Sequence, residues 1–225
     1  SGPPTHINEQ SPWWDASQIY PPNKQLQSSV RTGSGGKIVM VPRPGGGVML
    51  PPPLLDQLAA QAGWWLGLGL LVDLFAREHN AICERLARDY PTWTDEQLFQ
   101  KARLINAALL AKIHTVEWSP AIIAHPTSVM ALHGNWWGVG GEKLNPFLRR
   151  VSDKDIVRGI PGSPNDHHSA PYSLTEEFVS VYRMHPLMPD DITFRSLATG
   201  RAIETLSLPD VVGRKTPGVA EKHSM

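Results

Sequence analysis

The run from Thr94 to Ile113 constrains this chain most, because it reads as a long helix with one apolar side. Thr94 and Gln97 stand at the spacing of a capping box, which marks a helix start. Leu98, Ala102, Ile105, Leu109 and Ile113 then recur at spacings of four, three, four and four, so they share one stripe of a 3.6-residue helix. Such a stripe needs a partner, and the preceding stretch supplies it. Residues 64–90 read as a second helix whose apolar residues cover much of its circumference, which predicts burial. Gly67 and Gly69 weaken its first turns and point to close approach of another surface.

Around this helical pair the chain is irregular. Residues 1–60 are loop-rich, with SGPP, YPPN, GSGG, RPGGG and LPPPLL supplying turn and breaker signals that exclude long helices. Residues 125–172 carry NWWG, GIPGSP and DHHS and read as irregular structure with short helices, followed by one further helix and a polar tail. At 225 residues and 41% apolar content the chain is large enough to bury a core of its own. Lys plus Arg equals Asp plus Glu, at 21 each, so a dominant nucleic-acid or anionic-membrane role has no support. Cys83 has no second cysteine to pair with and reads as a small buried apolar residue. The longest apolar run, Trp64 to Val72, is too short for a transmembrane segment and is followed by Asp73 and Arg77. No signal peptide stands out either; the location is left unknown, with a soluble protein, cytoplasmic or membrane-peripheral, as the expectation. Ser1 in place of Met leaves the start of the polypeptide open.

Two segments carry chemistry-bearing residues. In SLTEEFVSVYRMHPLMPDD, Ser173 to Asp191, Ser173 and Glu176 have capping-box spacing, and Phe178, Val181, Tyr182 and His185 recur along one helical face. Pro186 and Pro189 end the helix. Residues three apart on a helix are neighbours, with Cβ atoms roughly 5–6 Å apart. A redox-capable phenol therefore stands beside an imidazole, a good iron ligand. The pattern alone also fits two core residues satisfied by hydrogen bonds. In SPWWDASQIY, the oxygens of Ser11, Asp15 and Ser17 with the Trp13 carbonyl between them could converge on a hard cation such as calcium. An Asp and Ser turn that bonds its own backbone is the alternative.

A wider pattern ties these segments together. Arg77, Glu78, His79 and Asn80, then Asp95, Glu96, Gln97 and Leu98, then Ala102 and Arg103, lie within Leu70–Pro126, which resembles the two long helices of the animal-type haem peroxidase superfamily. Lys112, Ile113, His114, Thr115, Glu117 and Trp118 resemble its fatty acid α-dioxygenase branch, as do NWWG at Asn135–Gly138 and PYSLTEEF at Pro171–Phe178. The resemblance implies a mainly α fold: the central part of one haem peroxidase-type helical domain, partial, covering residues 1–225. Its loop-rich N-terminal third (1–60) would carry a calcium-type loop, residues 64–124 two long helices and residues 173–186 the proximal haem helix.

The resemblance also implies roles. His185 would be the proximal ligand of haem b, and Ser11, Trp13, Asp15 and Ser17 would hold calcium. Tyr182 would be oxidised to a radical by peroxide-activated haem, and would then take hydrogen from the carbon beside a fatty acid carboxylate, where O2 adds. His114 and Ser119 would help hold that carboxylate, although His114 reads equally as a bridge between buried helices. The pattern departs from the superfamily: no distal His helix precedes SPWWD, the helices expected after the proximal one and the Arg that would join His114 and Ser119 are not in these residues, and Pro21 and Pro22 stand where Gly-Ser usually follows the calcium loop. A truncated, non-catalytic remnant, or a subunit lacking the distal half of the haem site, is therefore the alternative to a haem-dependent peroxidase or oxygenase. His79 reads as structural, among residues forming salt bridges and caps. His167 and His168 read as a solvated loop, and His6, His125, His133 and His223 as loop or tail residues without chemical context.

Overall fold

The computed structural model describes residues 5, 7, 13–21, 24–43, 46–61, 63–161, 163, 174–182 and 187–223. Its elements are α1 Lys24–Ser29, β1 Val41–Pro42, β2 Val48–Met49, α2 Pro52–Ala59, α3 Leu66–Asp89, α4 Asp95–Ile113, a π-helix at His114–Trp118, α5 Ser119–Ile122, α6 Pro126–Trp137, α7 Gly141–Val151, α8 Asp155–Arg158, α9 Glu176–Val181, β3 Asp191–Arg195, β4 Ala202–Ser207 and α10 Thr216–Lys222. The fold is mainly helical, and among the described residues the strands form two antiparallel pairs, β1–β2 and β3–β4. Among the same residues, no helix is long and apolar enough to cross a membrane. The chain divides into two compact units, Ala16–Asn106 with Glu177–Met225, and Ser1–Asp15 with Ala107–Glu176.

The first unit is built on α3 and the N-terminal part of α4. α3 buries Val72, Ala76, His79, Cys83 and Leu86, a stripe at steps of four and three, with Phe75 beside it. Cys83 and Leu86 pack with Leu98 and Ala102 of α4, and Trp93 covers the cluster. The capping box forms: Gln97 Oε1 accepts from Thr94 N at 2.9 Å, and Thr94 Oγ1 accepts from Gln97 N at 3.3 Å. One expected position is displaced. Ile105 is 39% exposed whereas Asn106 is fully buried, so the buried side of α4 runs Leu98, Ala102, Asn106. The cause is chemical, since the Asn106 amide donates to Tyr20 Oη at 2.8 Å and to the Phe75 carbonyl at 2.9 Å.

Polar side chains of α3 and α4 hold the loop-rich N-terminal segment. Asn80 pairs with both backbone groups of Ile38, accepting from its N–H at 2.8 Å and donating to its carbonyl at 2.9 Å. Asp73 accepts from Leu50 N at 2.9 Å and forms an ion pair with Arg77. Arg31 donates to Asp95 at 2.6 Å and to Glu96 at 2.5 Å. Gly36 sits at φ +71° against α4, where a Cβ would lie 2.6 Å from Phe99 N, so only glycine fits.

The C-terminal segment corrects the expectation of a polar tail. Asp191–Arg195 alternates polar and apolar residues, the period of a strand, and pairs with Ala202–Ser207 as β3 and β4. α10 then packs against α2 and α3. His223, expected to lack context, stacks on Phe194 with centroids 3.8 Å apart and places Nε2 2.7 Å from Glu204 Oε2.

The second unit is also more regular than expected. Within residues 125–172, α6 spans 12 residues and α7 spans 11. α6 starts on Pro126, whose missing N–H costs nothing in the first turn, and His125 caps it by accepting from Thr127 N at 3.3 Å. NWWG supplies its last residues, and Gly138 at φ +71° ends it. The buried Asn145 amide joins the ends of α6 and α8, donating to the Trp137 carbonyl at 2.8 Å and the Arg158 carbonyl at 2.6 Å.

Candidate active site

α9 and Tyr182 stand within the segment expected as the proximal helix. Ser173 and His185 lie outside the described residues, so neither the Ser173 cap nor the imidazole is placed. Tyr182 follows the last turn of α9 and donates its N–H to the Phe178 carbonyl at 2.8 Å. Its ring stacks on Phe178, with centroids 5.3 Å apart and planes 15° apart. This end of α9 presents apolar surface: Val181 is 86% exposed and Tyr182 56%. Exposed apolar and aromatic side chains of this kind are compatible with a flat, largely apolar macrocycle, and the imidazole that the sequence offers to hold one, His185, is not among the described residues.

His114 opens the π-helix, a feature absent from the sequence reading. Residues five apart in an α-helix diverge by about 140°, which would turn His114 and Ser119 away from each other. The i→i+5 winding of a π-turn returns residue i+5 towards residue i, and here Ser119 N–H donates to the His114 carbonyl. Pro120 favours this slip, because it has no N–H with which to continue the α register. The Trp14 ring lies against the imidazole, with centroids 4.9 Å apart and planes tilted by 56°. Burial holds the His114 pKa below the usual histidine value, so the neutral form is favoured near pH 7.

The expected calcium ligands are only partly placed. Ser11 lies outside the described residues; Trp13 and Ser17 are exposed and Asp15 is half-buried. Between Asp15 and Ser17, Ala16 adopts φ +53°, an uncommon conformation for a residue with a side chain, and its carbonyl accepts from Ile19 N at 2.8 Å and Tyr20 N at 3.0 Å. The oxygen donors suit a hard cation. Among the described residues, no group of three or more His, Cys, Asp or Glu side chains is arranged to hold a metal ion. His167 and His168 lie outside them.

A buried polar cluster, missed by the sequence reading, surrounds His79. Its Nε2 lies 2.8 Å from the Gly36 carbonyl, which can only accept, so Nε2 carries the proton. Nδ1 is then bare and accepts from Tyr20 Oη at 2.8 Å. The Tyr20 oxygen in turn accepts from Asn106. Cys83 Sγ donates to the same Gly36 carbonyl at 3.2 Å. Burial raises the Tyr20 pKa well above the usual phenol value, pushes the Cys83 thiol up to about 12 and lowers that of His79, so all three are neutral. The available signal was a polar residue on each apolar helical face, His79 on α3 and Asn106 on α4.

The animal haem peroxidase family model matches residues 1–223 of this chain. The chain belongs to the animal haem peroxidase family. A haem cofactor is the family's expectation. An α-dioxygenase of Nicotiana tabacum is 35% identical over 194 residues, covering 85% of this chain and 30% of the relative. Among solved structures, the fatty acid α-dioxygenase of Arabidopsis thaliana aligns with TM-score 0.83 at 32% identity, over 96% of this chain and 35% of the other. A tyrosine-to-phenylalanine variant of the Oryza sativa fatty acid α-dioxygenase, solved with palmitic acid, aligns with TM-score 0.78 at 28% identity, over 93% and 35%. These place the chain on the fatty acid α-dioxygenase side of the family, and it spans about a third of the length of the relatives it matches.

Proposed function

We propose that this haem peroxidase family member acts as a fatty acid α-dioxygenase, with Tyr182 as the radical-bearing residue. The observation that carries the reading is similarity to α-dioxygenases over most of the chain, joined to the π-turn that brings Ser119 round towards His114. His185 would hold the iron of haem b, and Ser11, the Trp13 carbonyl, Asp15 and Ser17 would hold calcium. The haem, when bound, supplies one-electron oxidising power from peroxide. Tyr182 gives up an electron and its phenolic proton and becomes a neutral phenoxyl radical. That radical takes a hydrogen atom from the carbon beside the carboxylate of a fatty acid. Dioxygen adds to the carbon radical, and the peroxyl product recovers hydrogen from the Tyr182 phenol to give a hydroperoxide.

His114 and Ser119 are assigned to hold the carboxylate by hydrogen bonds from imidazole and hydroxyl. Because burial favours neutral His114, the arriving anion offsets that desolvation and raises the imidazole's proton affinity. Stacking on Phe178 limits the swing of the Tyr182 ring. Replacing Tyr182 with Phe in the full-length protein keeps that stacking and removes the phenol. Fatty acid oxygenation should vanish while peroxide-dependent oxidation of a small phenol such as guaiacol persists. Equal loss of both activities, with haem content unchanged, would falsify the assigned role.

A further inference from the structure

Tyr20 is 2% exposed and His79 is fully buried, and neither has a part in the chemistry assigned to Tyr182. Their contact is the one that phenol oxidation requires. Removing an electron from a phenol makes its proton strongly acidic, so a buried tyrosine is readily oxidised only where a base accepts that proton at once. Electrons tunnel through protein; protons move only across a hydrogen bond. Here the acceptor is the bare Nδ1 of His79 at 2.8 Å, while the other ring nitrogen is anchored on the Gly36 carbonyl at 2.8 Å. The carbonyl keeps hold of its N–H after Nδ1 is protonated, so the imidazolium is stabilised without movement. Asn106 Oδ1, buried and without a hydrogen-bond partner, adds an acceptor dipole to the same cluster. Arg31 lies 4.1 Å over the Phe99 ring, which itself packs edge-on to Tyr20 and His79, and its charge opposes a positive imidazole. Cys83 stays a neutral thiol beside them.

We propose that Tyr20 and His79 form a second redox site, a proton-coupled trap that takes the oxidising equivalent from Tyr182 when no fatty acid is bound. The proposal rests on the reading of Tyr182 as a radical site, and both phenols lie in the same compact unit. The electron passes from Tyr20 to the Tyr182 phenoxyl, which takes a proton from solvent and returns to the phenol. The Tyr20 proton passes to His79 Nδ1. The products are a neutral Tyr20 phenoxyl and a His79 imidazolium, held away from solvent.

High-field EPR of the full-length, haem-loaded protein tests this in two arms. In the first, ruthenium(III) tris(bipyridine) generated by a flash oxidises the protein without calling on Tyr182. A long-lived phenoxyl, with an exchangeable deuteron coupling in D2O from its hydrogen bond, is expected in the wild type and in Tyr182→Phe and should be lost in Tyr20→Phe. The same signal persisting in Tyr20→Phe, or a phenoxyl without exchangeable coupling, overturns the proposal. Incorporating 3,5-difluorotyrosine at position 20 preserves the hydrogen bonds, and fluorine splitting must then appear on that signal; its absence also overturns the assignment. In the second arm, peroxide without fatty acid should give the Tyr20 signal in the wild type and not in Tyr182→Phe. A trap that forms under the flash but never with peroxide supports the Tyr20–His79 pair as a redox site and overturns transfer from Tyr182.

Discussion

Tyr20 and Tyr182 carry the same functional group in opposite surroundings. Tyr20 is sealed in the protein, with its proton directed at an imidazole and its oxygen accepting from an amide. Tyr182 is 56% exposed at the end of a short helix and has a phenyl ring for a stacking partner. The difference separates what a tyrosine does for a fold from what it offers to a substrate. A phenol whose two hydrogen-bonding neighbours are fixed from α3 and α4 is costly to remove, because each neighbour keeps an unsatisfied group. One that stands at a surface contributes little to stability and can meet other molecules.

The largest effect expected from breaking this contrast is at His79. Truncation by His79→Ala opens a cavity and leaves the Tyr20 hydroxyl and the Gly36 carbonyl without their partner. Cavity formation and an unpaired buried group each cost a few kcal/mol, so a loss of about 3–5 kcal/mol is expected. Urea unfolding of the full-length protein measures it, and a change below about 1 kcal/mol would mean that the cluster does not hold the fold together.

A smaller effect should appear with acid. His79 is held neutral in the folded protein and its pKa lies below the histidine value of the unfolded chain. The unfolded state therefore takes up a proton first, and stability falls as pH drops below about 6.5, levelling off only beneath the lowered folded-state value. Urea midpoints measured between pH 7.5 and 5.5 should fall more steeply in the wild type than in His79→Gln, which has no imidazole to titrate. Parallel curves would remove His79 from the account of acid sensitivity.

How much of this was legible in sequence depends on whether local spacing or a distant partner decides the outcome. The capping box at Thr94 and Gln97 and the stripe of α4 were readable, because both follow from neighbours within one helix. The spacing points to Ile105 where the structure buries Asn106, since a polar residue is buried only when partners such as Tyr20 Oη and the Phe75 carbonyl arrive from elsewhere in the chain. The β3–β4 hairpin is faint in the sequence, because β3 alternates but Ala202–Ser207 does not, and short strands carry a weak signal beside long helices. At the candidate site, the residue types His114, Ser119 and Tyr182 could be chosen by resemblance. The π-turn could not, as it depends on a register slip that His-Thr-Val-Glu-Trp spells out only through the Pro120 that follows.

The smallest expected effect completes the contrast and concerns stability at Tyr182. Tyr182→Phe deletes a hydroxyl from a ring more than half exposed and retains the stack on Phe178. Exposed substitutions of this kind usually stay within about 0.5 kcal/mol. The unfolding midpoint of Tyr182→Phe should therefore match the wild type while its fatty acid oxygenation is lost. Tyr20→Phe should show the inverse balance, losing roughly 1–3 kcal/mol because His79 Nδ1 and Asn106 Nδ2 each lose a partner in a buried site. Should the two variants lose equal stability, exposure would be a poor guide to these phenols, and Tyr182 would be held by contacts stronger than its stack on Phe178.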